Sequence, residues 1–451
     1  MRKILGKLLI SVMIAAMLAS SFILTAAAAD YRHLADELNG LGLFGGTENG
    51  YELDRAPSRA EALVMLIRLL GLEETAKSGE FNHPFTDVDS WFSPYAGYAY
   101  EHGLTDGIGE GLFGPNQRCT AQMYVTYVLR ALGYDDTSGD FTYDGAVEFA
   151  KSVGIIDDTL AGAEFLRDHL VAVSYLALSA VPKNGEYGSL LEKLIEQGAI
   201  NETGAKATRQ KLDLIDEYLA ISSEVLSIMS RVSMNMSADA KMVYFGQSIP
   251  ALNMSMAFSS IMEEDLLLEI IMDMSLMGEE SVSNTIYVVD GYAYMDDGVD
   301  KVRTEANLAD VTNAMAMSDV TRYFMNPAYT ISDISKSTEG DYTVYTILFA
   351  SGVFNTIINQ AMGMVSGDVG LGDIPMGDMS IDYYEMKIYV DSSDMLNKLV
   401  INIDVTMVTE VMGTSIPIPL SIALEIEITA FGDDVVITLP DDLDTYTVAV
   451  G

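Results

Sequence analysis

Phe85-Thr86-Asp87-Val88, then Trp91, Tyr95, His102-Gly103-Leu104 and Gly111-Leu112-Phe113-Gly114-Pro115-Asn116, closing on Leu129-Arg130-Ala131-Leu132-Gly133-Tyr134, mark out the stretch on which the reading of this chain turns. Pro94 stands where a first helical turn begins, Tyr95, Tyr98 and Ala99 follow at helical spacing, and Gly103 supplies a C-terminal stop. A Gly-rich loop comes next. Val125, Val128, Leu129 and Leu132 then fall at i, i+3, i+4 and i+7, which predicts an amphipathic helix with one face to bury. A single pair of short helices cannot cover that face, so repetition is expected.

Two further copies are present. Upstream, Leu63, Leu66, Ile67 and Leu70 repeat the pattern with Gly71 just after it, and downstream Val171, Ser174, Tyr175 and Leu178 do the same. The stops of the preceding helices align as Leu41-Gly42-Leu43, His102-Gly103-Leu104 and Val153-Gly154-Ile155. Three repeats are therefore expected, at about 31–72, 81–136 and 141–182, with their length differences in the loops. A short helix with Leu190, Leu191, Leu194 and Ile195, over about 189–198, caps the array near residue 204.

These repeats resemble the S-layer homology (SLH) unit, by which bacterial surface proteins grip the polysaccharide of their own wall. The resemblance implies a pseudo-trimer of helical repeats. It also implies that an Arg in a Thr-Arg-Ala-Glu motif, at the start of each long helix, holds an acidic, in some cases pyruvylated, wall sugar in a groove between repeats. Ser58-Arg59-Ala60-Glu61 keeps the motif, with Ser58 and Glu61 also forming a capping box. A guanidinium offers a planar fork suited to a carboxylate, and free N–H groups at the helix start are expected to assist it. Thr120-Ala121-Gln122-Met123 has Ala121 in place of the Arg, so its groove is expected to bind weakly or not at all. Leu166-Arg167-Asp168-His169 keeps only the Arg, and Arg167 reads equally as ligand group or surface residue.

Four further residues join the candidate site. Trp91, the only tryptophan, reads either as a stacking platform for sugar or, on the family pattern, as partial core. Asp87 reads as touching sugar or as tying a turn, with the turn favoured. Gly107 and Gly109 read as a close backbone approach to ligand or as a turn requirement. Cys119, the only cysteine, excludes an intrachain disulfide and reads as a small buried residue.

The formal charge of −41 excludes nucleic acid and anionic headgroups as natural partners of the whole chain. Arg2, Lys3 and Lys7 precede an apolar run from Leu8 to Leu24 and Thr25-Ala26-Ala27-Ala28-Ala29, the three parts of a secretory signal peptide cleaved after Ala29. Without it, no transmembrane segment is expected, and a secreted protein held at the wall or S-layer by its repeats follows.

Beyond residue 205 a helix over about 209–229 leads into strand spacing. Leu252, Met254, Met256 and Phe258 alternate with polar or small residues, and similar runs recur at about 266–276, 283–289, 342–349, 380–390, 397–408, 416–430 and 435–439. Asp290-Gly291 marks a two-residue hairpin turn. Residues 305–325 and 353–366 read as helical and Gly367–Gly377 as a loop. The expected fold is multidomain, an all-α pseudo-trimer followed by an α+β domain (205–451) whose antiparallel, strongly curved sheet of eight or nine strands looks like a lipoprotein-carrier half-barrel.

This second part has no His, Cys or Trp, which excludes histidine triads and thiolate metal sites there. No enzyme, cofactor or metal site is expected. Asp296-Asp297 and Asp433-Asp434 read as solvated turns. Met254, Met256, Met272, Met274, Met277, Met362, Met364 and Met407 read as irregular core or as a pocket for a hydrophobic ligand. The alternative function is thus a wall-tethered lipid carrier or sensor.

Overall fold

A computed structural model describes residues 30–162, 164–228, 230–244, 246–262, 266–305, 327–352, 376–411 and 414–448. The signal-peptide reading, the two central helical readings and most of the 367–377 loop lie outside them, as do Met362 and Met364. The described chain falls into two compact units, one of residues up to 213 together with 328–332, the other of residues 214–327 and 333 onward.

The first unit is helical. Its elements are α1 (Arg32–Gly40), α2 (Arg59–Leu69), α3 (Glu73–Ser78), α4 (Ser93–Glu101), α5 (Ala121–Ala131), α6 (Ala146–Ser152), α7 (Arg167–Ala177), α8 (Leu190–Glu196) and the start of α9 (Glu202–Ile228). The glycine stops repeat atom for atom. Gly42, Gly103 and Gly154 all take positive φ, and the next residue donates its N–H back into the helix: Leu43 to Leu38 O, Leu104 to Ala99 O and Ile155 to Ala150 O. The long helices α2, α5 and α7 each touch the other two. Leu63, Leu66, Ile67 and Leu70, Val125, Val128, Leu129 and Leu132, and Val171, Ser174, Tyr175 and Leu178 are all buried there. Fully burying one such aliphatic side chain stabilises by roughly 1.5–3 kcal/mol, so the shared interior, not the individual helix, makes the unit stable.

Two charged or polar links close the unit. Lys211 of α9, almost fully buried, lies 2.6 Å from Glu37 of α1, and Glu37 also accepts from the Tyr175 hydroxyl at 3.3 Å. Residues 328–332, far along the chain, belong to the same unit through a single 3-10 turn, Ala328–Thr330. The Tyr329 hydroxyl donates to Asp157 at 2.7 Å, its carbonyl meets His33 Nε2 at 3.1 Å, and its ring meets Tyr31 edge-on at 5.3 Å. No local pattern in the sequence announces this strap.

The second unit is built on one twelve-stranded sheet. Its strands are β1 (Arg231–Tyr244), β2 (Gln247–Met262), β3 (Leu266–Leu276), β4 (Val282–Val289), β5 (Tyr292–Asp296), β6 (Lys301–Glu305), β7 (Ile331–Glu339), β8 (Tyr342–Phe349), β9 (Met376–Val390), β10 (Leu396–Val411), β11 (Thr414–Phe431) and β12 (Thr447–Val448). The order is β12-β6-β5-β4-β3-β2-β1-β11-β10-β9-β8-β7, with β12 running parallel to β6. Two edges remain unpaired with each other, so the sheet is open. The expectation of a strongly curved sheet is corrected: it neither curls strongly nor closes, and long central strands carry it instead.

Asp290 and Gly291, both at positive φ, turn β4 into β5 with Val289 opposite Tyr292. Residues 435–439, expected as a strand, are irregular: Val435 is buried, Val436 is exposed and Pro440 follows. One sheet face is apolar. Met236, Met256 and Met272 stand in one cross-strand row and Ala238, Met254 and Met274 in the next, continued by Leu424 and Ile426 of β11 and Leu399, Ile401 and Met407 of β10. Met254 and Met407 are buried, while Met256, Met272 and Met274 are half-buried. The opposite face is polar, and a cleft of about 350 Å³ there is bordered by Asn235, Ser237, Ser255, Asp273, Glu425 and Glu427.

Candidate functional site: the buried arginines of the repeats

Segments ahead of the long helices hold one another in place. The Cys119 N–H donates to Pro57 O at 2.9 Å, and Ser58 pairs with Arg118 as an isolated antiparallel bridge. Arg59 N donates to Gln117 O and Ala60 N to Pro115 O, while Arg167 N donates to Arg55 O and Asp168 N to Leu53 O. Each of these two helix starts is thus plugged by a loop of another repeat. This corrects the expectation of free helix N–H groups: at α2 and α7 they are satisfied within the protein, and only the side chains remain to meet a ligand.

At α2 the capping box is complete. Ser58 Oγ accepts from Glu61 N at 3.2 Å and Glu61 accepts from Ser58 N at 2.8 Å. Burial pushes the Glu61 carboxyl up, but a two-pronged contact from Arg55, at 2.6 and 2.9 Å, and the Ser58 N–H outweigh it and bring it down to about 2. Glu61 is therefore a committed anion already held by Arg55.

Arg59 is different. Only 4% exposed, its guanidinium donates from Nε to Phe113 O at 3.1 Å and lies 4.9 Å from the Phe113 ring centroid and 5.9 Å from that of Tyr127. Among the described residues no carboxylate lies within 4.0 Å of it. Burying an unpaired charge is costly, and two aromatic faces offset only part of that cost. The arrangement leaves the terminal nitrogens ready for an anion from outside.

Arg167, 3% exposed, is better compensated. Its Nε donates to Tyr51 O at 2.9 Å, Nη1 reaches Met65 Sδ at 3.6 Å, and Glu61 lies 3.8 Å away. Burial, then the nearby Arg55, push its pKa below the usual arginine value. The surface-residue reading of Arg167 is excluded by its burial. His169, where the motif has Glu, accepts from Leu166 N through Nδ1 at 3.1 Å and so supplies half of a capping box.

Asp87 ties the loop beside Arg59. Its two oxygens accept from Phe113 N at 2.8 Å and Gly114 N at 2.7 Å. Desolvation raises its pKa, yet those N–H groups and the charge of Arg59 leave it lowered overall. Arg59 and Asp87 thus clamp the same Phe113-Gly114 peptide, one by its carbonyl and the other by its N–H groups.

Gly107 and Gly109 lie in the neighbouring turn, where Ile108 N donates to Leu112 O and Leu112 N to Gly109 O. Gly107 has φ +77, and a Cβ there would stand 2.4 Å from Leu112 O, so the fold itself requires this glycine. At Gly109, φ +93, open space surrounds the Cβ position. Trp91 is 55% exposed, which overturns its reading as partial core; Phe92, fully buried, takes the core place and joins Trp91 to Phe113 through ring contacts of 5.4 and 4.9 Å. Arg59, Asp87, Gly107 and Gly109 therefore gather about one loop system, with Trp91 at its aromatic margin, and Arg167 sits apart beside Tyr51 and Met65.

Cys119 is buried beside Arg59, and burial pushes its thiol up to about 12, which makes it inert. Sequence reasoning missed Phe113, Tyr127 and Arg55 as partners of the arginines. Phe113 has an aromatic counterpart in Tyr51 of the first repeat, a signal the aligned copies carried, whereas Tyr127 stands where the other copies have Met65 and Val173 and so left none.

The chain is similar to known proteins. The family model for the S-layer homology domain matches residues 84–120. A middle cell wall protein of Brevibacillus brevis is 36% identical over 110 residues, 24% of this chain and 10% of that protein. A surface layer protein of Brevibacillus choshinensis is 37% identical over 101 residues, 22% and 9% of the two chains. The chain thus spans about a tenth of the length of these relatives. A search of solved structures returns LprF from Mycobacterium bovis at 9% identity and a TM-score of 0.27, covering 50% of this chain and 97% of that one, a likeness too loose to carry an argument. No described helix is long and apolar enough to cross a membrane. Residues 84–120 thus carry an S-layer homology domain, in a chain whose C-terminal part is β-rich.

Proposed function

We propose that this exported protein is anchored non-covalently to its cell wall by the three repeats, and that the anchor takes hold of an acidic secondary wall polysaccharide chiefly at Arg59. The carrying observation is the Arg59 guanidinium, buried between Phe113 and Tyr127 with no carboxylate within 4.0 Å among the described residues. A sugar-borne carboxylate, pyruvyl or uronic, supplies the missing partner, and the guanidinium fork gives it two parallel hydrogen bonds. Asp87 acts from behind by fixing the Phe113 carbonyl that orients Arg59, and Gly107 and Gly109 shape the adjoining turn. Trp91 offers an exposed indole for a sugar face. Arg167, partly neutralised by Glu61, forms a second and weaker acid site, and the Ala121 groove binds little.

In this reading residues 1–29 direct export, 30–204 hold the wall, and 205–451 are a displayed, non-catalytic domain. Co-sedimentation of the mature chain with purified walls, before and after extraction of their acidic polysaccharide, tests it. Retention should vanish with the polysaccharide; equal retention on extracted walls would defeat the proposal.

A second reading makes the sheet a holder of a hydrophobic ligand, and the half-buried row Met236, Met256 and Met272 favours it. Native mass spectrometry of the purified protein decides: co-purified lipid supports a carrier, and an empty protein a display domain.

A further inference from the structure

We propose that the Tyr127 hydroxyl is a second ligand-contacting group of the Arg59 groove, one that sets its specificity; the inference rests on the Arg59 reading above. Tyr127 is 4% exposed, and its buried hydroxyl makes no hydrogen bond of normal length among the described residues, although Thr105 lies near enough to lower its pKa. An unsatisfied buried hydroxyl costs free energy, so a native structure keeps one for a reason. Here the reason lies beside it: the Arg59 guanidinium sits over the Tyr127 ring and is also short of partners. The two are close enough that the arginine charge draws the Tyr127 pKa down against the burial that raises it.

The repeats supply an independent comparison. Tyr127 of α5 lies between Val125 and Val128, as Met65 of α2 lies between Leu63 and Leu66 and Val173 of α7 between Val171 and Ser174. In the groove of Arg167 this position is Met65, whose sulfur receives Nη1 at 3.6 Å. That groove satisfies its arginine from within. At Arg59 the same position carries Tyr127, which contributes its ring but leaves its hydroxyl open. Where the arginine is replaced by Ala121, the corresponding wall residue is Val173, and both polar groups are absent together. The hydroxyl therefore stands only beside Arg59, the arginine without a close carboxylate among the described residues. Tyr127 turns an internally satisfied arginine site into one whose donor fork and hydroxyl converge on a carboxylate and a second oxygen of the same acid-bearing sugar.

The test measures binding of the full mature protein to purified native walls, alongside its unfolding temperature, for wild type, Arg59→Ala, Tyr127→Phe and Tyr127→Met. Because the hydroxyl makes no hydrogen bond of normal length among the described residues, Tyr127→Phe should leave the unfolding temperature unchanged or raised, and Tyr127→Met should pack as Met65 does. Both should bind walls about tenfold or more weakly, the loss of one hydrogen bond to a charged ligand. If Arg59→Ala abolishes binding while both Tyr127 variants bind as wild type, this inference is overturned and the anchor reading stands. If Arg59→Ala itself binds as wild type, the anchor reading falls and takes this one with it. A binding loss that merely follows a fall in unfolding temperature assigns Tyr127 a structural role and also overturns the proposal.

Discussion

Replacing His33 by Gln should remove a specific piece of the acid sensitivity of the helical unit. His33 Nε2 meets the Tyr329 carbonyl, and burial, reinforced by the nearby Lys211 charge, lowers its pKa from 6.5 to about 4, against weaker upward pulls from that carbonyl and Asp36. The sign follows from linkage. The unfolded chain takes up a proton near pH 6.5 that the folded chain refuses until about pH 4, so stability is full above 6.5 and drains away as the pH falls. The total is about 3 kcal/mol, of which about 2 kcal/mol is lost between pH 7 and 5. Glu61 and Glu73, both held down to about 2, lose their contributions only at lower pH, so the upper window isolates His33. Urea unfolding at pH 7, 6 and 5 reads the slope. Wild type should lose stability across it and His33→Gln should be nearly flat; an equal slope in the two proteins would refute the reasoning.

Other consequences are local. Tyr329→Phe deletes the hydroxyl that meets Asp157 and leaves that carboxylate short of a donor, which should cost roughly 1–3 kcal/mol in thermal unfolding. Burial, and then the charges of Asp168, Glu37 and Asp157, raise the pKa of Tyr31, Tyr175 and Tyr329, so stability present below pH 10 should be lost as the pH climbs above it; circular dichroism at rising pH follows this. Gly107→Ala forces a side chain into a positive-φ position against Leu112 O and should destabilise by roughly 1–3 kcal/mol, with Gly109→Ala, in open space, paying only the backbone strain.

The helical repeats were legible because their signals are local and occur three times. Heptad-like spacing, glycine stops and the Ser58 box each belong to a few consecutive residues, and the core positions read for the three long helices are all buried. The strap at Tyr329 was not legible, since its partners lie far away in sequence and no periodicity encodes such a contact. In the sheet, strong runs such as β3, β8 and β10 were read, whereas β1 was missed because its buried face is made of Met and Ala, weak marks of alternation. The polar edge strand β7 and the short β6 and β12 were missed for want of an apolar face to show. Residues 435–439 misled in the opposite sense, a β-branched run that finds no partner strand. At the site, the motif located both arginines, but which of them is charge-compensated depends on Arg55, Glu61 and Met65, and only three-dimensional contact decides that. Trp91 failed because Phe92, its neighbour, wins the interior.

The account stands or falls on the unpaired charge at Arg59. The deciding measurement is the dissociation constant of the full mature protein for purified native walls, with Arg59→Ala and Arg167→Ala compared at one salt concentration. The Arg59 change should weaken binding at least tenfold and more than the Arg167 change. Binding by the Arg59 variant equal to that of the wild type, with the fold intact, would contradict the account.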